Sequence, residues 1–143
     1  MTVRPATLHD AQALAALSGQ LGYPSSEARL RVRLTSILYA EDHAVFVADD
    51  AQGHVLGWIH VCEVRRLESD PFAEIGGLVV HEAHRRRGVG QRLVSEAEAW
   101  AAERGVQKLR VRTRTDRNAA RAFYASLGFT TAKQQAVLDK RLG

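Results

Sequence analysis

The sequence predicts a mixed α/β or α+β fold, and three observations carry that prediction. Segments of helical periodicity alternate with β-rich runs along the 143 residues. Both a short turn suited to a hairpin and longer crossovers suited to helices join the strand candidates, so the sheet pairs in mixed fashion. Hydrophobic residues make up 45% and charged residues 25%, the balance of a globular chain with a real core. The length fits one domain over residues 1–143.

A short strand at Thr2–Arg4 leads to a helix over about Leu8–Leu21, with Thr7 in the N-cap position. Gly22-Tyr23-Pro24 breaks it. A second helix, about Ser26–Tyr39, carries Leu30, Leu34, Ile37 and Leu38 on one face. Residues 44–49 and 54–64 are strands around a turn at Asp50–Gly53, hence a hairpin. A loop at Arg65–Pro71 precedes a strand at Phe72–Val80. The next helix runs to about Arg104, burying Leu93, Val94, Ala97, Trp100 and Ala101, and ends at Gly105. Leu109–Thr113 is a strand, Asn118–Leu127 a helix closed by Gly128, and residues 136–142 are the better candidate for a further strand.

Charge is unevenly placed. Residues 81–121 hold eleven Arg or Lys against five Asp or Glu, while the remainder holds nine against eleven. One region suits an anion and the rest leans toward a cation, unlike a uniformly basic nucleic-acid binder. Aromatic residues are only 6% and none falls in 84–92, so the stacking platform of a nucleic-acid reader is missing. Cys62 is the single cysteine, which excludes an internal disulfide and Cys-rich zinc sites, and its apolar run predicts an inert buried thiol. His81-Glu82-Ala83-His84 lacks the H-E-x-x-H spacing, and no metal is expected. The N-terminus has no apolar signal stretch and no window approaches a membrane span, so no membrane partner and a cytoplasmic location are expected.

Residues 84–92, HRRRGVGQR, join a strand to a helix. A helix N-terminus presents unbonded N–H groups and partial positive charge. Gly88 and Gly90 let a ligand approach the backbone, and Arg85, Arg86 and Arg87 add full charges. This is a receptor for a compact anion such as a pyrophosphate. A P-loop would need G-x-x-x-x-G-K-[ST], which is absent, and a Rossmann fingerprint would need glycine where Leu93 stands.

R-x-x-G-x-G at Arg85, Gly88 and Gly90 follows AEIGGLVV, and about thirty residues later comes NAARAFYASLGF at 118–129. This pair, in this order, resembles the GNAT superfamily of N-acetyltransferases, through its [QR]-x-x-G-x-[GA] motif and its N-x-x-A-x-x-F-Y-x-x-x-G-F segment. The order of elements resembles that fold across nearly the whole chain. The resemblance implies a mainly antiparallel central sheet with a splayed strand pair, here Phe72–Val80 and Leu109–Thr113, flanked by helices. It implies acetyl-coenzyme A (acetyl-CoA) between those strands as cosubstrate. Leu78, Val79 and Val80 would bond its pantetheine arm. The amides of Arg86, Arg87, Gly88, Val89, Gly90 and Gln91, with Arg85 nearby, would hold its pyrophosphate, and Asn118 would touch the arm or cap its own helix. Gly76-Gly77 within the strand suits a bulge or a close approach.

Transfer to an amine sets two chemical demands. An alkylamine of pKa near 10 is about three units from neutral at pH 7, a cost of roughly 4 kcal/mol, so a base must take its proton. Glu74 stands on the strand beside the implied cofactor, where many relatives carry a carboxylate. Those relatives often hold it nearer the strand centre, where this chain has glycine. The leaving thiolate needs a hydrogen bond, and Tyr124 of the FY pair is implied as its donor. Arg110, Arg112 and Arg114 alternate on one strand face, which is solvated or lends one arginine to the cofactor's phosphates. The acceptor implied is a primary amine of a small molecule, cationic in view of Glu27, Glu41, Asp42, Glu68 and Asp70 near the first two helices and the 65–71 loop. Acetylation of a protein amine, and a non-catalytic acetyl-CoA-binding regulator, stay open as alternatives, as does a homodimer.

Overall fold

The computed structural model describes residues 1–20 and 22–143. Leu21, at the expected end of the first helix, lies outside the described residues. The chain divides into two compact units, Met1–Val111 and Arg112–Gly143.

The first unit is built on a five-stranded sheet: β1 (Thr2–Pro5), β2 (His43–Asp49), β3 (Val55–Arg66), β4 (Ser69–Val80) and β5 (Leu109–Val111). The strands lie side by side in chain order, antiparallel except for the parallel β4–β5 pair. Of the six expected strands, five are present, and four of these stand nearly where the β-rich runs put them. The exception in extent is β4. The stretch 65–71, expected as a loop, is mostly strand, with only Leu67–Glu68 left as the turn of a β3–β4 hairpin. Pro71 lies where the ladder is irregular, between Arg66↔Ser69 and Val64↔Phe72, so its missing N–H leaves no rung unmade.

One sheet face carries α1 (Ala11–Gln20) and α2 (Glu27–Tyr39). Ala11, Leu14 and Leu34 pack there with Val45 and Val47 of β2, joined by Leu30, Ile37 and Trp58. Leu38, expected on the same apolar face, is instead exposed, because it lies 100° around the helix from Ile37. The other face carries α3 (Val89–Glu103), which buries Leu93, Val94 and Ala97 completely. Burial of a Leu or Val side chain contributes about 1.5–3 kcal/mol, so α3 is firmly seated.

The helix expected from Leu8 starts as a 3-10 turn, Leu8–Asp10, before α1. Its start is fixed by Asp10, whose carboxylate accepts the Thr7 N–H at 2.8 Å. The same carboxylate takes both guanidinium arms of Arg4, each at 2.9 Å, and Arg4 reaches Asp49 at 2.7 Å. Arg4 holds the nearly buried Asp10 carboxyl below its ordinary pKa. Because the folded value is the lower one, this stability is present above the ordinary carboxylate pKa of about 4 and is lost as pH falls through the folded value. Asp10→Asn is expected to cost about 2 kcal/mol at pH 7, less than a fully buried pair because Arg4 is partly exposed and keeps Asp49. Urea unfolding of both proteins at pH 7 and pH 3 checks it: the difference should shrink at pH 3.

The second unit holds α4 (Asn118–Ser126). Arg117, not Asn118, is its N-cap, since the Arg117 carbonyl accepts the first helical bond, from the Arg121 N–H at 3.1 Å. The strand expected over 136–142 is absent. Three apolar residues in succession followed by three charged ones leave neither face of an extended chain apolar, and Val137, Leu138 and Leu142 are exposed.

Candidate functional site

The sheet comes apart at one place. β5 pairs with β4 only through Ala73↔Leu109, Glu74↔Arg110 and Ile75↔Val111. From Gly76 to Val80, no strand among the described residues pairs with the outer edge of β4, although β3 still pairs with its inner edge. The expected splay is thus present, with β5 ending two residues earlier than the alternation to Thr113 suggested.

The opening coincides with a bulge. His60 stands opposite Gly77 and Val61 opposite Ile75, so Gly76 is an extra residue on β4. A Cβ on Gly76 would lie 2.6 Å from His60 Nδ1, and one on Gly77 would lie 2.8 Å from the Trp58 ring. These glycines are therefore required by side chains of β3 that lie against them. The sequence suggested a bulge or close approach here but not what approaches.

Beyond Val80 the chain turns into the α3 N-terminus. Arg85 donates from Nε to the Val80 carbonyl at 3.3 Å. Arg86 holds a φ of 64°, the sole left-handed non-glycine among the described residues, and Gly88 follows at 82°. A left-handed arginine is uncommon and costs energy, which points to a loop shaped for a purpose. The first donor to bond back into α3 is Arg92, to the Gly88 carbonyl at 3.0 Å. The N–H groups of Val89, Gly90 and Gln91 thus precede any intrahelical bond. Arg85, Arg86 and Arg87 are exposed around them. The donor set fits a doubly charged diphosphate, and the open edge of Leu78, Val79 and Val80 fits an extended amide-bearing arm. Of the residues expected to bind, the ten from Leu78 to Gln91 are consecutive or nearly so in one unit.

Glu74 is half-buried, opposite Cys62 of β3 and Arg110 of β5. Cys62, expected to be buried, is half-buried, and burial together with the Glu74 and Asp42 carboxylates pushes its pKa up, so it remains a thiol. On the same sheet face His43 Nδ1 meets His60 Nε2 at 2.8 Å, and Asp42 lies 3.8 Å from His43 Nε2. Burial, then the neighbouring His43, lowers the His60 pKa. Trp58 Nε1 is buried with no hydrogen-bond partner among the described residues. Sequence reasoning missed this His43–His60–Trp58 group. Period-2 alternation on the two arms of the hairpin was the available signal, since it places all three on one face.

Arg110 does not stand free on a solvated face. Its guanidinium covers the Phe72 ring at 4.5 Å, beside Lys108 at 4.8 Å. Arg112 and Arg114 lie beyond β5, bonded to Gln135 at 3.2 Å and to Asp116 at 2.9 Å.

In the second unit, Asn118 is exposed at the first turn of α4. Tyr124 is half-buried, edge-on to Phe123 at 5.1 Å and Phe129 at 5.4 Å. Phe123 is equally half-buried. Burial pushes the Tyr124 phenol up to about 12. It is therefore a hydrogen-bond donor throughout the neutral range.

Comparison with known proteins bears on the family and the fold. A model of the acetyltransferase (GNAT) family matches residues 11–129. An aminoglycoside N(6')-acetyltransferase type 1 of Stenotrophomonas maltophilia is 32% identical over 133 residues, covering 90% of this chain and 85% of that protein. One of Serratia marcescens is 28% identical over 117 residues, covering 79% and 80%. Among solved structures, AAC(6')-Iy in complex with the bisubstrate analogue CoA-S-monomethyl-acetylneamine shares the fold with a TM-score of 0.86 at 21% identity, covering 98% of this chain and 97% of that one. With the family model spanning most of the sequence, the chain belongs to the GNAT family of acetyltransferases.

Proposed function

We propose that this acetyltransferase moves the acetyl group of acetyl-CoA to a primary amine of a cationic small molecule, an aminoglycoside being the first candidate. The observation that carries the cosubstrate is the opening of the sheet at Gly76–Val80, continuous with the amide cradle of residues 86–91. The two aminoglycoside-modifying relatives support the acceptor class. Residues 1–143 act as one domain on this reading, since the family match crosses from the first unit into the second. A free, unpaired cysteine is compatible with a reducing compartment, and the cytoplasm is the proposed location. No helix of the described residues is long and apolar enough to cross a membrane.

Acetyl-CoA supplies a thioester carbonyl for attack. Leu78, Val79 and Val80 would bind its arm by backbone hydrogen bonds, with Asn118 as a further contact. Val89, Gly90 and Gln91 would donate to the diphosphate, and Arg85, Arg86 and Arg87 would neutralise it. Glu74 would take the proton of the acceptor's ammonium, directly or through a water it holds, and its charge would draw that ammonium in. Tyr124 would donate a hydrogen bond to the departing sulfur. With its pKa raised, the phenol keeps its proton and stabilises the charge in place of surrendering it.

Calorimetry with acetyl-CoA, followed by assay of free thiol with neamine, spermidine and a lysine peptide, tests the proposal. Binding followed by thiol release with neamine is the expected result. Release with the peptide alone would replace the acceptor class, and binding without turnover on any amine would make the chain a sensor of the cosubstrate.

A further inference from the structure

Glu74 solves only half of the proton problem. A carboxylate that accepts a proton must lose it before the next cycle, and a neutral imidazole within reach can receive it. His60 lies one rung along the same sheet face. Cys62 stands opposite Glu74 and His60 opposite Gly77, so the two side chains are diagonal neighbours across the Gly76 bulge.

Three features single out His60 from a merely structural imidazole. Its Nδ1 is directed at Gly76, 2.6 Å from where a Cβ would be, and Gly76 is exposed at the open end of the sheet. That nitrogen has no hydrogen-bond partner among the described residues, whereas Nε2 is engaged by His43 at 2.8 Å. One tautomer pattern satisfies the remainder: His60 donates from Nε2 to His43 Nδ1, and His43 carries its proton on Nε2, toward Asp42 at 3.8 Å. This pattern leaves the lone pair of His60 on Nδ1, facing the bulge.

We propose that His60, oriented by His43, receives through one water the proton that Glu74 takes from the acceptor amine. The inference rests on the acetyltransferase function proposed above. The ammonium gives one proton to the Glu74 carboxylate, and the carboxylic acid passes it to His60 Nδ1, which restores the carboxylate and leaves an imidazolium. The neutral nitrogen forms the C–N bond as the C–S bond breaks, and its second proton goes to the sulfur. His60 then returns its proton to solvent, and the rings end as they began. His43 is a positioning residue: it fixes the tautomer and touches no reacting atom.

The charged and titratable groups facing the pair are few. Among the described residues they include Asp42 before β2, Cys62 of β3, Glu74 of β4 and Arg110 of β5, which stands opposite Glu74. No residue of α1 is ionisable, and α2 packs through Leu30, Leu34 and Ile37, with Arg31 and Arg33 turned to Glu27 and Ser25. Burial, and after it the proximity of His43, disfavours charge on His60, so the ring rests neutral near pH 7 with its Nδ1 lone pair available.

Two measurements test this. Long-range 1H–15N correlation of the imidazoles in the whole protein, with no ligand, should find the His60 proton on Nε2 and Nδ1 bare. A proton on Nδ1 overturns the proposal. In neamine acetylation, His60→Gln should lower kcat at least tenfold with KM for acetyl-CoA unchanged, and added imidazole should restore part of the loss. His43→Gln should move the acid limb of the kcat–pH profile upward, because His43 is, after burial, what holds the His60 pKa down. Unchanged kcat in His60→Gln, or an unmoved limb in His43→Gln, overturns it. Calorimetry of acetyl-CoA on all three proteins separates the two ideas: no binding by the unaltered protein sinks the acetyltransferase proposal, while full binding with unaltered His60→Gln turnover sinks only the role of His60.

Discussion

Gly88→Val is expected to weaken acetyl-CoA binding at least tenfold, a loss of about 1.4 kcal/mol or more. Crowding is not the cause, since a Cβ at this position meets nothing within 4 Å. The cause is the backbone. Gly88 caps α3 at φ 82° and ψ 4°, where an ordinary L-residue costs roughly 1–2 kcal/mol and a β-branched one more. Valine relaxes that strain by swinging the loop, and the swing turns the amides of Val89, Gly90 and Gln91 away from a common point. A hydrogen bond to a charged group contributes about 1.5–3 kcal/mol, so misaligning one donor suffices. Asparagine tolerates the left-handed region, so Gly88→Asn should stay within roughly threefold of the unaltered protein. Calorimetric titration of the three proteins decides it. Equal affinity for all of them would remove the α3 N-terminus from the binding site.

Tyr124→Phe is expected to lower turnover at least tenfold, about 1.4 kcal/mol of barrier, with acetyl-CoA affinity unaltered. The exchange removes one oxygen and keeps the ring and its edge-on contacts with Phe123 and Phe129. What is lost is a donor to charge that exists only as the sulfur departs. The raised phenol sets the sign of the pH effect. With a pKa of about 12, Tyr124 stays protonated through the whole alkaline range in which the assay runs, so it adds no descending limb below that value. Thiol release at saturating acceptor, beside calorimetry, measures both halves. Unaltered turnover would take Tyr124 out of the chemistry.

How far the sequence disclosed all this depends on whether a feature is local. The R-x-x-G-x-G turn into α3 is a matter of adjacent residues and their dihedrals, and it stands as the sequence suggested, with Gly88 left-handed. The apolar stripe of Leu93, Val94 and Ala97 obeys helical periodicity and is buried. The 65–71 stretch, expected as a loop, is mostly strand because a proline is compatible with a strand wherever a rung is absent, and that depends on the register with β3. The 136–142 segment misled in the opposite direction, since strand propensity does not supply a partner. The His43–His60 contact was beyond local inspection. Its members are 17 residues apart, and the β2–β3 register shifts between Ala48 and Asp49. Gly76 and Gly77 were visible as anomalies, but their meaning lay in the β3 side chains that cover them.

A strand left bare along one side is ordinarily a hazard, because any extended peptide, including another copy of the same chain, finds a template there. Here the bare length is five residues, and the extra residue at Gly76 bends and twists it at its root. So short and crooked a seam gives a flat polypeptide few consecutive rungs to zip onto. The irregularity proposed to admit a slender ligand would thus also discourage self-adhesion, and straightening it would be expected to trade catalysis for clumping.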